Sequence, residues 1–197
     1  MVIACYDHFH NNRKVAVKKC INALSVVPWT VIREIECMKH LLGHRNVIEL
    51  IDVYVNYHSF DKESSDVYVV TELCGNMMWD YLNEKCYTEN TITETEVQNI
   101  MCQLLSVCVY MHSADILHRD IKPENLLMKD DLIKLIDFGS ATQCHEQQEV
   151  EHMESVYVVT KFYRPPEVVL TSSQQSPAID LWSIGCVFAV SIAVYVI

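Results

Sequence analysis

Residues 118–139 read HRDIKPENLLMKDDLIKLIDFG and set two carboxylates, an amide and a lysine at spacings suited to moving a phosphoryl group. Asp120 and Asn125 form D-x-x-x-x-N, and Asp137 opens a D-F-G. Phosphoryl transfer shifts much charge and little covalent structure, so a site needs a carboxylate to orient the attacking hydroxyl and oxygen donors to hold Mg²⁺. Asp120 suits the first task, Asn125 and Asp137 the second. Lys122 adds a point charge able to neutralise the group in transit. Either motif alone is a weak signal; both in this order, separated by a short hairpin pattern, are a strong one.

These side chains need a scaffold. Residues 126–137 predict two short strands around the turn at Asp130 and Asp131, which would set Asp137 across a cleft from Asp120. Upstream, Thr93 and Glu96 form a capping box, and Val97, Ile100, Met101, Leu104, Leu105 and Cys108 make the apolar stripe of a helix running to about Met111. That stripe is core, and the helix delivers the chain to His118. Residues 28–42 predict another helix, with Val31, Ile35, Met38 and Leu42 as its apolar face and Gly43 as its end. Residues 2–9 and 14–20 predict an antiparallel hairpin across Asn11 and Asn12, and residues 44–55 and 66–73 predict two further strands flanking a polar loop.

Composition bounds the reading. The chain has 197 residues, is 50% hydrophobic and carries a formal charge of −11, so it can bury a core and is poorly suited to nucleic acid or an anionic membrane surface. Basic protein partners fit better. Nine cysteines, scattered and without C-x-x-C or a leader, read as reduced thiols of a cytoplasmic or nuclear protein. No transition-metal motif stands out among the nine histidines. From Leu181 to Ile197 the chain carries no charge, but the run is at the short limit for a bilayer and lacks flanking Lys or Arg, so a buried helix or strand is expected and no membrane.

Taken together, H-R-D-I-K-P-E-N, D-F-G, V-A-V-K at residues 15–18 and V-V-T-K-F-Y-R-P-P-E at residues 158–167 closely resemble eukaryotic protein kinases. The match covers about residues 2–189 and is most similar to the group holding mitogen-activated, cyclin-dependent and glycogen-synthase kinases. Within it, DVYVVTEL and HSADILHRD point to the stress-activated mitogen-activated branch (p38 and Jun amino-terminal kinases), whereas P-E-N and D-F-G-S-A point to its cousins. The resemblance implies an α+β, bilobal kinase-like fold: a small lobe over 1–71, a hinge at 72–76, a large lobe over 77–197 and an activation segment over 137–167. It also implies an incomplete one. The opening MVIACYD resembles the stretch just after the family's glycine-rich loop, and no glycine precedes Gly43, so the first strand and that loop are expected to be missing. The large lobe is expected to stop at the helix beginning near Asp180, leaving Glu167 partly buried without its family partner.

By the same resemblance, Lys18 grips the nucleotide phosphates and pairs with Glu34, Val2 covers the nucleotide, Thr71 guards the pocket behind the adenine, and the backbone around Glu72 and Cys74 bonds that base. Asp120 and Lys122 act on the transferred phosphate, and Asn125 and Asp137 hold Mg²⁺. Asp180 is expected to bond the catalytic-loop backbone. Ser155 and Tyr157 stand where the family's Thr-x-Tyr pair is phosphorylated; Arg33 and Arg119 would take the first phosphate, Lys161 and Arg164 the second. A third arginine of the family is replaced by Thr142. The expected activity is ATP-dependent, Mg²⁺-dependent phosphorylation of Ser or Thr before Pro in protein substrates, under an upstream dual-specificity kinase, with weak nucleotide binding where the loop is absent. The alternative is an inactive fragment serving as a binding or competitor module.

Overall fold

A computed structural model describes residues 2–8, 10–20, 28–57, 65–88, 91–143, 161–170 and 176–196. Two strands, β1 (Val2–Asp7) and β2 (Arg13–Cys20), form the expected hairpin, its turn made by Asn11 and Asn12 at φ 54° and 55°. Asparagine tolerates that left-handed region, which a tight hairpin turn demands. β3 (Leu50–Tyr57) and β4 (Ser65–Glu72) complete an antiparallel sheet in the order β1-β2-β4-β3. The two inner strands are rich in valine: Val15, Val67, Val69 and Val70 are buried, as β-branched residues on a half-covered sheet should be.

Helix α1 (Trp29–His40) packs beside this sheet with Pro28 at its N-cap. Its buried face differs from the expected one. Val31, Glu34, Met38 and Leu41 point inward, Ile35 is half-buried and Leu42 is exposed. The period is helical in both readings, but the inward row includes Glu34, a charge that a count of apolar residues passes over. The helix also stops earlier than Gly43: Leu41 is the C-cap, its N–H bonded to the Cys37 carbonyl, and Gly43 lies in the following turn at φ 96°.

After β4 the chain passes without regular structure through residues 73–76 into α2 (Met78–Tyr87), the first helix of a mostly helical lobe. Its centre is α3 (Glu94–Ser113), which buries Val97, Ile100, Leu104, Val107, Cys108 and Met111 and leaves Leu105 outside. Two short antiparallel strands, β5 (Ile116–Leu117) and its later partner β8 (Thr142–Gln143), bracket β6 (Leu126–Lys129) and β7 (Leu132–Leu135), which form a hairpin around the predicted turn. The architecture is a mixed α+β fold with a four-stranded small lobe.

Beyond the short α4 (Pro166–Leu170), α5 (Ala178–Val196) packs on α3. A helix was expected to begin near Asp180, with helix or strand left open for the uncharged end of the run; the structure continues the helix to Val196. It turns Ile184 and Val187, with the polar Asp180, Ser183 and Ser191, inward, and presents Leu181, Trp182, Phe188 and Tyr195 to the outside. By length and composition, Ala178–Tyr195 is long and apolar enough to cross a membrane. Glu167, expected to be partly buried, lies exposed on α4.

Both halves of the capping box are present at the start of α3: the Glu96 N–H donates to Thr93 Oγ1 at 3.2 Å, and the Thr93 N–H donates to Glu96 Oε2 at 2.7 Å. Burial alone would raise the Glu96 carboxyl, but hydrogen bonds from Tyr81, Thr93 and Lys85 overcome this and hold it down at about 2, against an ordinary 4.5. A carboxylate depressed on folding stabilises the fold above its unfolded pKa and loses that contribution as pH falls through the folded one. Glu96→Gln should therefore lower the urea midpoint at neutral pH, and the gap to the parent chain should close as pH falls from 4.5 towards 2.

Candidate active site

The loop that opens at His118 hangs on Asp180. Its carboxylate is fully buried and accepts the His118 N–H at 3.0 Å and the Arg119 N–H at 2.8 Å, with His112 Nε2 at 2.9 Å. A buried carboxylate is stable only when its oxygens are satisfied, and here the loop backbone does so. Arg119 is left at φ 68°, a left-handed conformation costly for a long side chain, and its Nε donates to the Ser140 carbonyl at 2.6 Å. His118 is buried and neutral, since burial lowers its pKa. Its Nε2 faces the Ile136 carbonyl at 3.1 Å and its Nδ1 the Asp120 N–H at 3.3 Å, a pattern that requires the proton on Nε2. The ring also meets Phe138 edge-on at 4.9 Å.

Around Asp120 the polar groups converge. Oδ2 accepts from Lys122 Nζ at 2.8 Å and from Asn125 Nδ2 at 2.8 Å, and the same amide nitrogen donates to the Asp120 carbonyl. With its nitrogen so committed, Asn125 keeps its side-chain oxygen for another partner. The Ile136 N–H donates to the Asn125 carbonyl at 3.0 Å, so the strand leading to Asp137 is bonded directly to the loop carrying Asp120. Asp137 sits at φ 63° with its side chain half exposed.

Lys18 links this loop to the small lobe. Its ammonium lies 2.7 and 2.8 Å from the two oxygens of Glu34 and 3.6 Å from Asp137 Oδ1. Burial would strip the proton from such a lysine, but the two carboxylates outweigh it and raise the pKa, so the ammonium is retained. Burial likewise pushes the Glu34 carboxyl up, against the pull of Lys18. Lys18, Glu34 and Asp137 thus form one cluster and Asp120, Lys122 and Asn125 a second, joined through the bond from Ile136 to Asn125.

The remaining expected residues fall as follows. Val2 is exposed on β1 directly across from Lys18. Thr71 is half-buried on β4, and Cys74 lies in the segment that follows it, its thiol pushed up to about 11 by burial and then by the charge of Glu72. Glu72 turns its carboxylate to Lys134 on β7 and to the Glu49 N–H. Arg33 is on α1, Lys161 in a short 3-10 turn at Lys161–Tyr163, and Arg164 half-buried just beyond it. Ser155 and Tyr157 lie outside the described residues. Thr142, where the family has arginine, is buried in β8. Two residues were not singled out in the sequence: Lys134, whose partners are remote in the chain, and Glu124, whose Oε2 is buried without a hydrogen-bond partner among the described residues. A cavity of 580 Å³ lies apart from both clusters, between α3 and the β6–β7 turn, and reaches Glu72 and Lys134.

Compared with known families, residues 1–196 match the family described as Protein kinase domain. Among curated proteins, the chain is 37% identical over 191 residues to mitogen-activated protein kinase 13 of Arabidopsis thaliana, which is 95% of this chain and 49% of that relative. It is 38% identical over 180 residues to mitogen-activated protein kinase 3 of the same plant, covering 90% and 46%. To the mitogen-activated protein kinase homolog NTF3 of Nicotiana tabacum it is 38% identical over 181 residues, again 90% and 46%. The chain spans about half the length of the curated relatives it matches.

Hinge geometry gives a sharp test. A Cβ at Gly75 would stand 2.0 Å from the Met128 carbonyl oxygen, and Met128 is itself bonded through its N–H to the Asn76 carbonyl at 2.7 Å. Backbone cannot yield as a side chain can, so Gly75→Ala should destabilise the fold by about 1–3 kcal/mol in urea unfolding.

Proposed function

The chain belongs to the protein kinase domain family, and from that premise we propose that it transfers the γ-phosphate of ATP to serine or threonine hydroxyls of protein substrates. The single observation that carries this reading is Lys18 Nζ held between Glu34 and Asp137, which ties a phosphate-binding cation to a metal-binding carboxylate whose strand is bonded to the Asp120 loop through Ile136 and Asn125. ATP would lie with its adenine on the backbone of residues 72–76, beneath Thr71 and Val2, and its phosphates at Lys18. Asn125 and Asp137 offer oxygen donors of the kind Mg²⁺ takes, two from the protein with phosphate and water completing the set. Bound there, the ion would neutralise charge on the phosphates. Asp120 orients the substrate hydroxyl and accepts its proton, and Lys122, 2.8 Å from Asp120, stands by the migrating phosphoryl group. All of this is positioning and charge neutralisation, which provide most of the rate in this chemistry.

The finer reading is of the mitogen-activated type, selective for Ser or Thr before Pro, with Arg164 helping to shape the proline pocket. An upstream dual-specificity kinase would phosphorylate Ser155 and Tyr157, whose phosphates would pair with Arg33 and Arg119 and with Lys161 and Arg164. The sequence motifs support this, as does the charge of −11, which favours basic protein partners. Free thiols such as Cys5, Cys20 and Cys102 suit a reducing cytoplasm or nucleus.

Two measurements test the proposal. In thermal unfolding, Mg²⁺ should stabilise the protein markedly more with ATP than without it, since two protein donors are too few for this ion; equal stabilisation in both cases would remove the metal assignment. In a phosphorylation assay with a Ser-Pro peptide, Asp120→Asn should lower turnover by about 100-fold or more while leaving ATP binding within a few-fold of the parent. Unchanged turnover in that variant would sink the role of Asp120.

A further inference from the structure

Behind the hinge lies an ion pair that no catalytic role absorbs. Lys134, on β7, is buried, and its ammonium pairs with Glu72 Oε1 and donates to the Val47 carbonyl at 3.3 Å. The same Glu72 oxygen accepts the Glu49 N–H at 3.0 Å, while the Glu72 N–H donates to the Glu49 carbonyl at 3.1 Å. On the other side, β7 is stitched to the same segment: the Leu135 N–H donates to the Asn46 carbonyl at 2.8 Å, the Leu135 carbonyl accepts the Ile48 N–H at 3.1 Å, and Asn46 Nδ2 donates to the Ile133 carbonyl at 2.9 Å. Residues 46–49 are therefore clamped between the end of β4 and β7. The clamp has hydrogen bonds along both edges and one ion pair that crosses it.

We propose that the Glu72–Lys134 pair positions the hinge backbone relative to the loop carrying Asp137, and so sets the register of a nucleotide's adenine end against its phosphate end. Glu72 begins the hinge, and Lys134 stands three residues before Asp137 on a strand whose path is continuous into that loop. A shift of one end then requires either a shift of the other or the separation of a buried ammonium from its half-buried carboxylate. Lys134 and Glu72 are positioning residues in this account; neither touches the phosphates. The assignment of adenine to the hinge rests on the function proposed above, whereas the restraint on the hinge backbone does not.

The test uses the full chain and four proteins: the parent, Lys134→Met, Glu72→Gln, and the double variant, in which neither partner is left as an unpaired buried charge. Hydrogen exchange at the amides of residues 73–76, without nucleotide, reads the restraint; binding of methylanthraniloyl-ATP with Mg²⁺ reads adenine register; displacement of that probe by magnesium tripolyphosphate reads the phosphate end. Each single variant should bind the fluorescent nucleotide about tenfold more weakly, with the double no weaker than either single, because the two changes remove one interaction. Tripolyphosphate affinity should stay within about twofold and hinge exchange should quicken in all three variants. Unchanged hinge exchange in the double variant, or single effects that simply add, would overturn the proposal, as would equal losses for nucleotide and tripolyphosphate. If the parent itself bound no nucleotide, the kinase reading and the adenine register would fall together, and hinge exchange would still decide whether the pair restrains the backbone.

Discussion

The interaction on which the rest depends is the carboxylate of Asp180 facing the backbone of His118 and Arg119. It is an expensive group to bury, set in the most apolar helix of the chain. Because its oxygens accept two loop N–H groups and face His112, the loop cannot drift without leaving a charge unsatisfied in the interior. That fixes where Asp120 begins. It also explains why Arg119 tolerates a left-handed backbone: the two amide bonds to Asp180 and its own bond to Ser140 hold it there.

From that anchor the site spreads by backbone contacts more than by side chains. The bond from Ile136 to Asn125 carries position from the Asp120 loop to Asp137, and the segment between α1 and β3 carries it on to the hinge. Lys18 closes the circuit on the other side, through Glu34 and α1. Each lobe thus contributes charged groups whose spacing is set by strands that carry no reacting atom.

Local chemistry was the part most legible beforehand. Thr93 and Glu96 announce α3 because a capping box is a contact between near neighbours, and Asn11 with Asn12 announces a hairpin because the turn needs left-handed residues. Asp120, Asn125 and Asp137 could be found because their spacing is itself the motif. What local pattern missed was non-local or charged. Glu34 belongs to the inward row of α1, but a count of apolar residues skipped it and placed Leu42 inside in its stead. Lys134 was not singled out because its partners, Glu72 and the Val47 carbonyl, are remote in the chain, and Glu72 was read for its backbone, whereas its carboxylate bonds Lys134 and the Glu49 N–H. The state of the last turns of α5 was undecided for a related reason: an uncharged, β-branched run has no period to read, whereas the structure continues the helix, which packs on α3.

Phe138 has no accessible surface and stands edge-on to the neutral ring of His118. Close-packed interiors accept a benzyl group in full or not at all, since partial withdrawal leaves a void that neither solvent nor neighbours can fill. Asp137, one residue earlier, inherits that property. With that ring seated, Asp137 keeps φ 63° and its carboxylate stays 3.6 Å from Lys18 Nζ, so the packing of one uncharged ring fixes where a charge of the other lobe finds its partner.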